Sequence, residues 1–297
     1  MRNWEITTDS NCDLYENEYA ELGVERGKLS FTIEENNVLN EYLDDFKSYD
    51  EYVEFYNRLR KGGVAKTTIL NLQAHIDLFE KMAEKGVKKL IHITQSAGLS
   101  PTIDNANKAI AEVKEKYPDI DYVAVNSNTT TVGEQMLVRY ACKLRDEGVD
   151  RDEAVDKLNG LKNKIQHFIV VNDLMYLKRG GRISGVKAAI GSMLALKPII
   201  EFTKGGKLEI VRKEMGIKKA FRSVVDNVKN FPPSKEFFYP VIVHTGAPEE
   251  AKALQKMVVD EYGWTPEIRI MGPIIGAHVG PGAVALAYPS EVERSVE

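Results

Sequence analysis

The sequence has little of what marks several large classes of protein. Its 297 residues include only two cysteines, Cys12 and Cys142, which are too few and too far apart for a disulfide framework or a zinc site. No apolar run approaches the roughly 18 residues that a membrane-spanning helix needs. The first ten residues lack the apolar core of a signal peptide. We therefore expect a cytoplasmic protein.

Generic catalytic signatures are absent as well. The chain has no G-x-S-x-G elbow and no Walker A loop. Residues 280–285 match G-x-G-x-x-A, but they precede a predicted strand instead of opening a helix, so we interpret them as a structural turn. The five histidines show no metal-ligand spacing: His75, His92, His167, His244 and His278. We expect neither a metal nor a cofactor, and a net charge of −4 argues against a nucleic-acid surface.

The composition, 43% hydrophobic and 28% charged, is that of a globular protein, and the length suits two domains. In the first half, short apolar runs alternate with longer amphipathic ones, which predicts βαβ units and a largely parallel sheet. The predicted strands are residues 4–8, 89–94 and 122–126, and the predicted helices are residues 44–60, 71–85, 101–117 and 131–147.

After a predicted helix at residues 151–164 the pattern changes, because strands follow one another with few helices between them. The predicted strands are residues 167–172, 198–202, 207–211, 237–244, 267–271 and 283–288, and the predicted helices are residues 185–196, 217–229 and 248–262. Residues 203–206 (TKGG) are typical of a hairpin turn. We predict an α/β protein of two domains: residues 1–160 with a parallel sheet, and residues 161–297, an α+β domain with a mixed or antiparallel sheet.

Each strand of the first half ends in a polar turn. These turns are residues 8–10 (TDS), 94–96 (TQS) and 126–128 (NSN). Ligands of open α/β sheets bind beyond the carboxyl ends of the strands. The sequence therefore predicts a site at these turns.

Five segments carry a more specific pattern: residues 6–14 (ITTDSNCDL), 66–68 (KTT), 96–102 (SAGLSPT), 171–184 (VNDLMYLKRGGRIS) and 276–283 (GAHVGPGA). In order and spacing they resemble the T-D-S-x-x-D-L, T-S, S-S-G-L-S-G-T, D-L-x-x-L-x-x-G-G-R-I-S and A-H-x-G-P-G-A motifs of the DegV family. Lys197-Pro198 falls where that family has K-P. The resemblance extends over essentially the whole chain.

The resemblance implies a two-domain DegV-like fold that buries a long-chain fatty acid between its domains. The family includes the fatty-acid-binding subunit of bacterial fatty acid kinase, in which a separate kinase subunit phosphorylates the bound carboxylate with ATP. We therefore expect a lipid carrier without chemistry of its own. Its ligand would be the fatty acid, and its partner would be a kinase subunit. Lipid exchange would bring it into peripheral contact with a membrane.

The resemblance also implies roles for individual residues. The carboxylate-binding groups would be Thr67, Thr68, Ser96 and His278, and the supporting turn residues would be Asp9, Ser10, Gly98 and Ser127. Hydroxyl groups suit this task, because they can give a carboxylate charge-assisted hydrogen bonds. Arg182 would face phosphate or the partner. Small residues of the second domain suit either a tunnel wall or close helix packing: Gly185, Ala188, Ala189, Gly191, Ala195 and Leu196.

The sequence departs from the family motifs at three places. Ala97 replaces the second serine of the S-S pair, which removes one donor. Ile69-Leu70 stand where the family has Q-P after the T-S dipeptide. Met215 stands where kinase-serving relatives have an arginine, and Arg212 or Lys213 would have to substitute for it.

Two other functions remain open from the sequence. Ser96 or Ser10 could form a hydrolytic constellation with His278 and Asp9, because such triads occur in any chain order. The same fold could also serve as a regulatory interaction module with an empty cleft. With no prominent exposed apolar stripe in the sequence, we expect a monomer.

Overall fold

A computed structural model describes residues 3–183 and 195–297. The strands are β1 (Glu5–Asp9), β2 (Val24–Gly27), β3 (Ser30–Glu35), β4 (Val38–Leu43), β5 (Val64–Thr67), β6 (Lys89–Thr94), β7 (Asp121–Asn126), β8 (Ile165–Val170), β9 (Leu196–Phe202), β10 (Leu208–Met215), β11 (Val241–His244), β12 (Glu267–Ile270) and β13 (Val284–Pro289). The helices are α1 (Glu16–Leu22), α2 (Tyr49–Arg60), α3 (Leu72–Glu84), α4 (Thr102–Lys116), α5 (Val132–Asp146), α6 (Arg151–Leu161), α7 (Leu174–Arg179), α8 (Ile217–Val228), α9 (Pro248–Tyr262) and α10 (Pro273–Val279).

The first half contains the predicted parallel sheet. Its strand order is β2-β1-β6-β7, and all three strand pairs are parallel. Helices cover both faces because adjacent residues of each strand point to opposite sides. Leu90 packs against α3 and α4, whereas its neighbour Ile91 lies in the cluster that includes α5 and α6.

A small antiparallel sheet was not predicted from the sequence. Its order is β4-β3-β5, and it packs on α2 through Phe31, Phe55 and Tyr56. The predicted helix at residues 44–60 is therefore wrong at its start. The helix begins at Tyr49, where Ser48 and Glu51 form a capping box that satisfies the first backbone donors.

The second half contains a six-stranded mixed sheet with the order β10-β9-β8-β13-β11-β12. The β11–β12 pair is parallel and the other pairs are antiparallel. One face packs against α8 and α9 through residues such as Phe168 and Val170. The other face, which includes Ile200 and Ala285, lies towards α5. This confirms the predicted fold class.

Other predictions for the second half can now be compared with the structure. The β9–β10 pair and the bond from Gly206 N to Thr203 O (3.0 Å) confirm the hairpin. The strand predicted at residues 237–244 begins only at Val241. Most of the helix predicted at residues 185–196 lies outside the described residues, with Gly185, Ala188, Ala189 and Gly191. Its predicted end is wrong, because Leu196 begins β9.

Two further observations concern the chain as a whole. Among residues 3–183 and 195–297, no helix combines the length and the apolar character needed to cross a membrane. The parallel sheet uses strands up to Asn126 and the mixed sheet uses strands from Ile165 onward, with α5 and α6 between them. The division near residue 160 remains a prediction.

Candidate functional site

A cavity lies between the mixed sheet and the turns that follow the parallel strands. Its volume is about 770 Å³ with its open mouth included. Most lining residues are apolar: Ile69, Leu99, Ile169, Leu177, Phe202, Leu208, Val243, Met271, Ile274, Ile275, Val279 and Ala285. The polar lining residues are Thr67, Thr68, Gln95, Ser100, Thr130, Thr131, His167, Arg182 and His278.

One side of the cavity is a face of the mixed sheet, which we call the apolar wall: Ile169, Phe202, Leu208, Val243 and Ala285. Ala285 lies at its centre, because it pairs with Ile169 on one side and with Val243 on the other. Phe202 pairs with Leu208 across the hairpin. Strand alternation puts these side chains on the face opposite α8 and α9. The wall therefore offers a continuous apolar surface.

Another side consists of polar residues from the N-terminal half, which we call the polar wall: Thr67, Gln95, Ser100, Thr130 and Thr131. Thr67 is the last residue of β5, and Gln95 directly follows β6. Thr130 and Thr131 immediately precede α5. Parallel strands end at the same edge of their sheet, so the turns after β6 and β7 meet there. These turns therefore put polar groups beside the cavity.

The structure joins two predicted ligand residues directly. Thr67 Oγ1 lies 2.8 Å from His278 Nε2, although 211 positions separate the two residues in sequence. His278 is in α10, whose backbone direction is set by Pro273 at its first turn. Arg182 lines the same cavity and donates a hydrogen bond to the Gly180 carbonyl. A hydroxyl, an imidazole and a cation therefore lie on the lining of one mostly apolar space.

The imidazole of His278 is neutral near pH 7. Burial, and after it the nearby Arg182 charge, lowers its pKa to about 4. A neutral imidazole carries one N–H. If that proton is on Nε2, His278 donates to Thr67 and leaves the threonine hydroxyl free to donate to an anion. Glycine is needed at position 180, because a Cβ there would lie 2.3 Å from His278 Nδ1.

The remaining predicted carboxylate ligands differ in position. Thr68 lines the cavity, is exposed, and donates through its hydroxyl to the Ser30 carbonyl (3.1 Å). Ser96 is fully buried and is not among the lining residues. Its hydroxyl donates to the Gly206 carbonyl (2.7 Å) and accepts from Gly98 N (3.0 Å). The single hydroxyl proton of Ser96 is therefore already used.

The predicted supporting residues lie under the turns and outside the cavity lining. A Cβ on Gly98 would come within 2.7 Å of the Gly206 backbone, so only glycine fits against the hairpin. Ser127 donates to the Thr129 carbonyl (2.9 Å). The Ser10 hydroxyl accepts from Leu29 N (3.1 Å). Each contact fixes a turn within the N-terminal half or against the hairpin.

Asp9 lies beneath the polar wall as part of a buried carboxyl pair. Burial raises its pKa to about 7, and burial followed by repulsion from Asp9 raises the pKa of Glu134 well above its ordinary value. Glu134 accepts hydrogen bonds from Thr8 (3.1 Å) and Asn11 (3.1 Å). Asp9 Oδ2 accepts from Gln95 N (3.4 Å) and so helps to hold the polar wall.

These contacts do not form a hydrolytic triad. His278 Nε2 is bonded to Thr67, and the Ser96 proton goes to a backbone carbonyl. Asp9 is paired with Glu134, not with a histidine. Within residues 3–183 and 195–297 there is also no group of three or more side chains that could hold a metal ion.

The sequence interpretation missed five polar lining residues: Gln95, Ser100, Thr130, Thr131 and His167. Gln95 and Ser100 lie within or next to a recognised motif, which located them in the chain. The motif did not indicate that they line the cavity. Burial lowers the pKa of His167 to about 3. Thr131 has a backbone φ of 50°, a left-handed conformation that branched residues rarely adopt. Its hydroxyl donates to Asp13, which holds it in place.

The fold and site define an α/β protein of two sheet domains that encloses an apolar cavity with a threonine–histidine pair at one end. A family profile described as uncharacterised proteins of the DegV family matches residues 3–291. A DegV domain-containing protein of Clostridium perfringens is 31% identical over 298 residues, covering 99% of this chain and 100% of the relative. The chain belongs to the DegV family.

Solved structures share this architecture. A stearic acid-binding protein from Eubacterium ventriosum has a TM-score of 0.83 at 23% identity, over 97% of this chain and 98% of that one. A fatty acid binding DegV family protein from Streptococcus agalactiae has a TM-score of 0.79 at 26% identity, over 97% of this chain and 99% of that one. The first likeness establishes the shared fold, and the second adds sequence similarity to it.

Proposed function

We propose that this protein binds one long-chain fatty acid in the cavity, with the acyl chain on the apolar wall and the carboxylate at Thr67, His278 and Arg182. The observation that carries the proposal is the Thr67–His278 contact on the lining of a cavity in which most lining residues are apolar. It is supported by the similar structures from Eubacterium ventriosum and Streptococcus agalactiae, which are described as stearic acid-binding and fatty acid binding.

The acyl chain supplies most of the affinity. Burying about 14 methylenes gains on the order of 11 kcal/mol, at about 0.8 kcal/mol for each. Association costs about 4–15 kcal/mol before any affinity is observed. The polar groups therefore mainly fix orientation. The Thr67 hydroxyl and the Arg182 guanidinium each give the carboxylate a charge-assisted hydrogen bond.

The experiment starts with protein purified from a bacterial host and denatured, with the extracted lipid identified by mass spectrometry. Delipidated protein is then titrated with oleate and palmitate. Arg182→Gln should weaken binding of both acids about tenfold, because it removes a charged donor. Arg222→Gln is the matched control, since Arg222 pairs with Glu261 on the exposed surface. A protein that is empty when purified and refuses both acids contradicts the proposal.

The proposal includes presentation of the carboxylate to a partner kinase in the cytoplasm, with residues 1–160 supplying the polar turns and residues 161–297 closing the tunnel. Thr68 and Arg182 at the carboxylate end are partly or fully accessible, which suits access by a second protein. Met215 is 55% exposed, whereas Arg212 donates to Ser223 (2.5 Å). Lys213 has no ion pair within residues 3–183 and 195–297, and it is the nearest such cation in sequence to Met215.

Presentation to a kinase is tested separately from binding. The lipid-loaded protein is incubated with ATP and a bacterial fatty acid kinase catalytic subunit, and acyl phosphate is trapped with hydroxylamine. We expect hydroxamate from the wild type and a loss of at least tenfold in Lys213→Ala, with oleate binding unchanged. Lipid-loaded wild type that yields no hydroxamate leaves the protein a carrier without this partner.

A further inference from the structure

The turn between β6 and α4 carries two polar side chains, Gln95 and Ser100, which are 5% and 4% exposed and line the cavity. Within residues 3–183 and 195–297, the Ser100 hydroxyl oxygen is buried without a hydrogen-bond partner. The hydrogen bonds of Gln95 in this part of the chain involve its backbone, which leaves its side-chain amide available. Buried polar groups are nearly always paired in folded proteins, so the unpaired Ser100 hydroxyl needs an explanation.

The backbone holds both residues in fixed positions. The Ser96 carbonyl accepts hydrogen bonds from Leu99 N (3.0 Å) and Ser100 N (3.1 Å), so the turn folds back on itself and brings Ser100 close to Ser96. Asp9 accepts from the Gln95 backbone N–H at the start of the turn. The backbone at both residues is therefore held in place without a ligand.

The same turn lies next to the loop that carries Thr67. Asn105, in the first turn of α4, donates to the Leu70 carbonyl (3.2 Å), which ties the start of α4 to the residues that follow Thr67 and Thr68. Gln95, Ser100 and Thr67 also line one cavity. A carboxylate beside Thr67 is therefore near the turn that holds Gln95 and Ser100.

Ser96 and Ala97 occupy the S-S position of the family motif, and neither side chain can donate a hydrogen bond to a ligand. Ser96 has one hydroxyl proton, which goes to the Gly206 carbonyl, and moving it would leave that buried carbonyl without its partner. Ala97 has no donor in its side chain. The side-chain donors left on the turn are the Ser100 hydroxyl and the Gln95 amide.

We propose that Gln95 and Ser100 donate the hydrogen bonds that this turn makes to the fatty-acid carboxylate, and that Ser96 is a positioning residue that anchors the turn to the hairpin. This inference rests on the proposed function, because the ligand is taken to be a long-chain carboxylic acid. The Gln95 amide and the Ser100 hydroxyl each bond one carboxylate oxygen. Both are uncharged, so their contribution does not depend on the titration of either side chain.

The test compares oleate with methyl oleate, which has the same chain and no charged head group. Dissociation constants are measured for delipidated wild type, Gln95→Leu, Ser100→Ala and the double variant. We expect each single variant to bind oleate about tenfold more weakly, and the double variant about 100-fold, because hydrogen bonds to a charged group are lost. Binding of methyl oleate should change by less than about threefold, because the ester carries no charge.

Ser96→Ala distinguishes positioning from direct contact. It should lower the melting temperature and weaken oleate and methyl oleate by the same factor. Gln95→Met and Ser100→Cys, which keep the side-chain volume, replace any variant that does not fold. If Gln95 and Ser100 variants leave the oleate-to-methyl-oleate ratio at the wild-type value while Thr67→Val lowers it, the inference fails and fatty-acid binding stands. If the wild type binds no oleate, the proposed function fails and the inference with it.

Discussion

The two walls of the cavity are built on different principles. The apolar wall comes from paired residues within the strands of the mixed sheet, where alternation decides which side chains face the cavity. The polar wall comes from the ends of strands and from turns whose side chains are held by specific hydrogen bonds. The apolar wall should tolerate changes that keep its volume, whereas the polar wall should be sensitive to single atoms.

The apolar wall should mainly determine the affinity for a ligand, and the polar wall should mainly determine its orientation. Contact with the apolar wall is non-directional and grows with buried area. Contact with the polar wall depends on the position of individual protons, such as the one shared by Thr67 and His278. Changes in the two walls should therefore be distinguishable by the ligands that they affect.

Filling the apolar wall should have the largest effect. Ala285 is 2% exposed and lies at the centre of that wall. In Ala285→Trp the indole would occupy the space of the acyl chain, and we expect a loss of oleate and methyl oleate affinity on the order of 100-fold, or about 2.7 kcal/mol. Displacement of a fluorescent fatty acid measures this, with circular dichroism to verify folding. Ala285→Ser is the control, and an unchanged affinity in the tryptophan variant would place the ligand elsewhere.

Breaking the contact between the two walls should have the second-largest effect. Arg294 is 3% exposed and donates to the carbonyls of Asn128 (2.7 Å), on the side of the polar wall, and of Thr203 (3.2 Å), in the hairpin. Arg294→Met keeps the apolar stem but leaves these carbonyls unpaired, and we expect a loss of about 2 kcal/mol in the free energy of unfolding. Urea denaturation measures it. Arg222→Met, on the exposed surface, should cost less than about 0.5 kcal/mol. Equal losses in the two variants would show that the contacts of Arg294 with Asn128 and Thr203 do not stabilise the protein.

Removing one hydroxyl from the polar wall should have a smaller and more selective effect. Thr67→Val keeps the shape of the side chain but breaks the contact with His278. We expect oleate to bind about tenfold more weakly, or about 1.4 kcal/mol, with methyl oleate nearly unchanged. Isothermal titration of both ligands tests this, and Thr67→Ser should restore oleate binding. A loss that is equal for acid and ester would assign Thr67 a structural role.

The carboxyl pair under the polar wall should give the smallest effect, visible through its pH dependence. Burial raises the pKa of Asp9 to about 7 and that of Glu134 well above its usual value, whereas both ionise near pH 4 in the unfolded chain. Their contribution to stability is complete below about pH 4 and is lost as the pH rises towards and beyond 7.

Replacing Glu134 with glutamine removes part of that loss. The difference in unfolding free energy between Glu134→Gln and the wild type should shift in favour of the variant as the pH rises from about 5 to about 8. Urea titrations at both pH values measure it. Glu80→Gln is a control, because Glu80 pairs with Lys116 on the surface. A difference that is constant with pH would mean that Glu134 is ionised in the folded protein.

The two walls also differ in how far the sequence predicted them. The strands of the parallel sheet and those behind the apolar wall were found because branched apolar residues mark buried strands, as in β6 and β8. The small sheet was missed because nearly every residue of β4 is exposed, so its sequence shows no alternation. Thr67 depends on that sheet for its position, since β5 is one of its strands.

The polar wall illustrates what the sequence could not supply. Recognised motifs led to Thr67, Thr68, Arg182 and His278, which do line one cavity. The same motifs led to Ser96, whose proton goes to a carbonyl 110 positions further along the chain. No local pattern indicates which hydroxyl of a turn faces inward when its partner comes from a distant hairpin.

At position 131, the residue that lines the cavity is not the residue that would give the most stable backbone. A branched residue in a left-handed conformation costs on the order of 1–3 kcal/mol, yet this threonine precedes α5, lines the cavity and donates a hydrogen bond to Asp13. Glycine would remove the strain and would be favoured in a search for heat resistance alone. A stabilised variant that carries glycine at position 131 should therefore be tested for weaker binding of oleate.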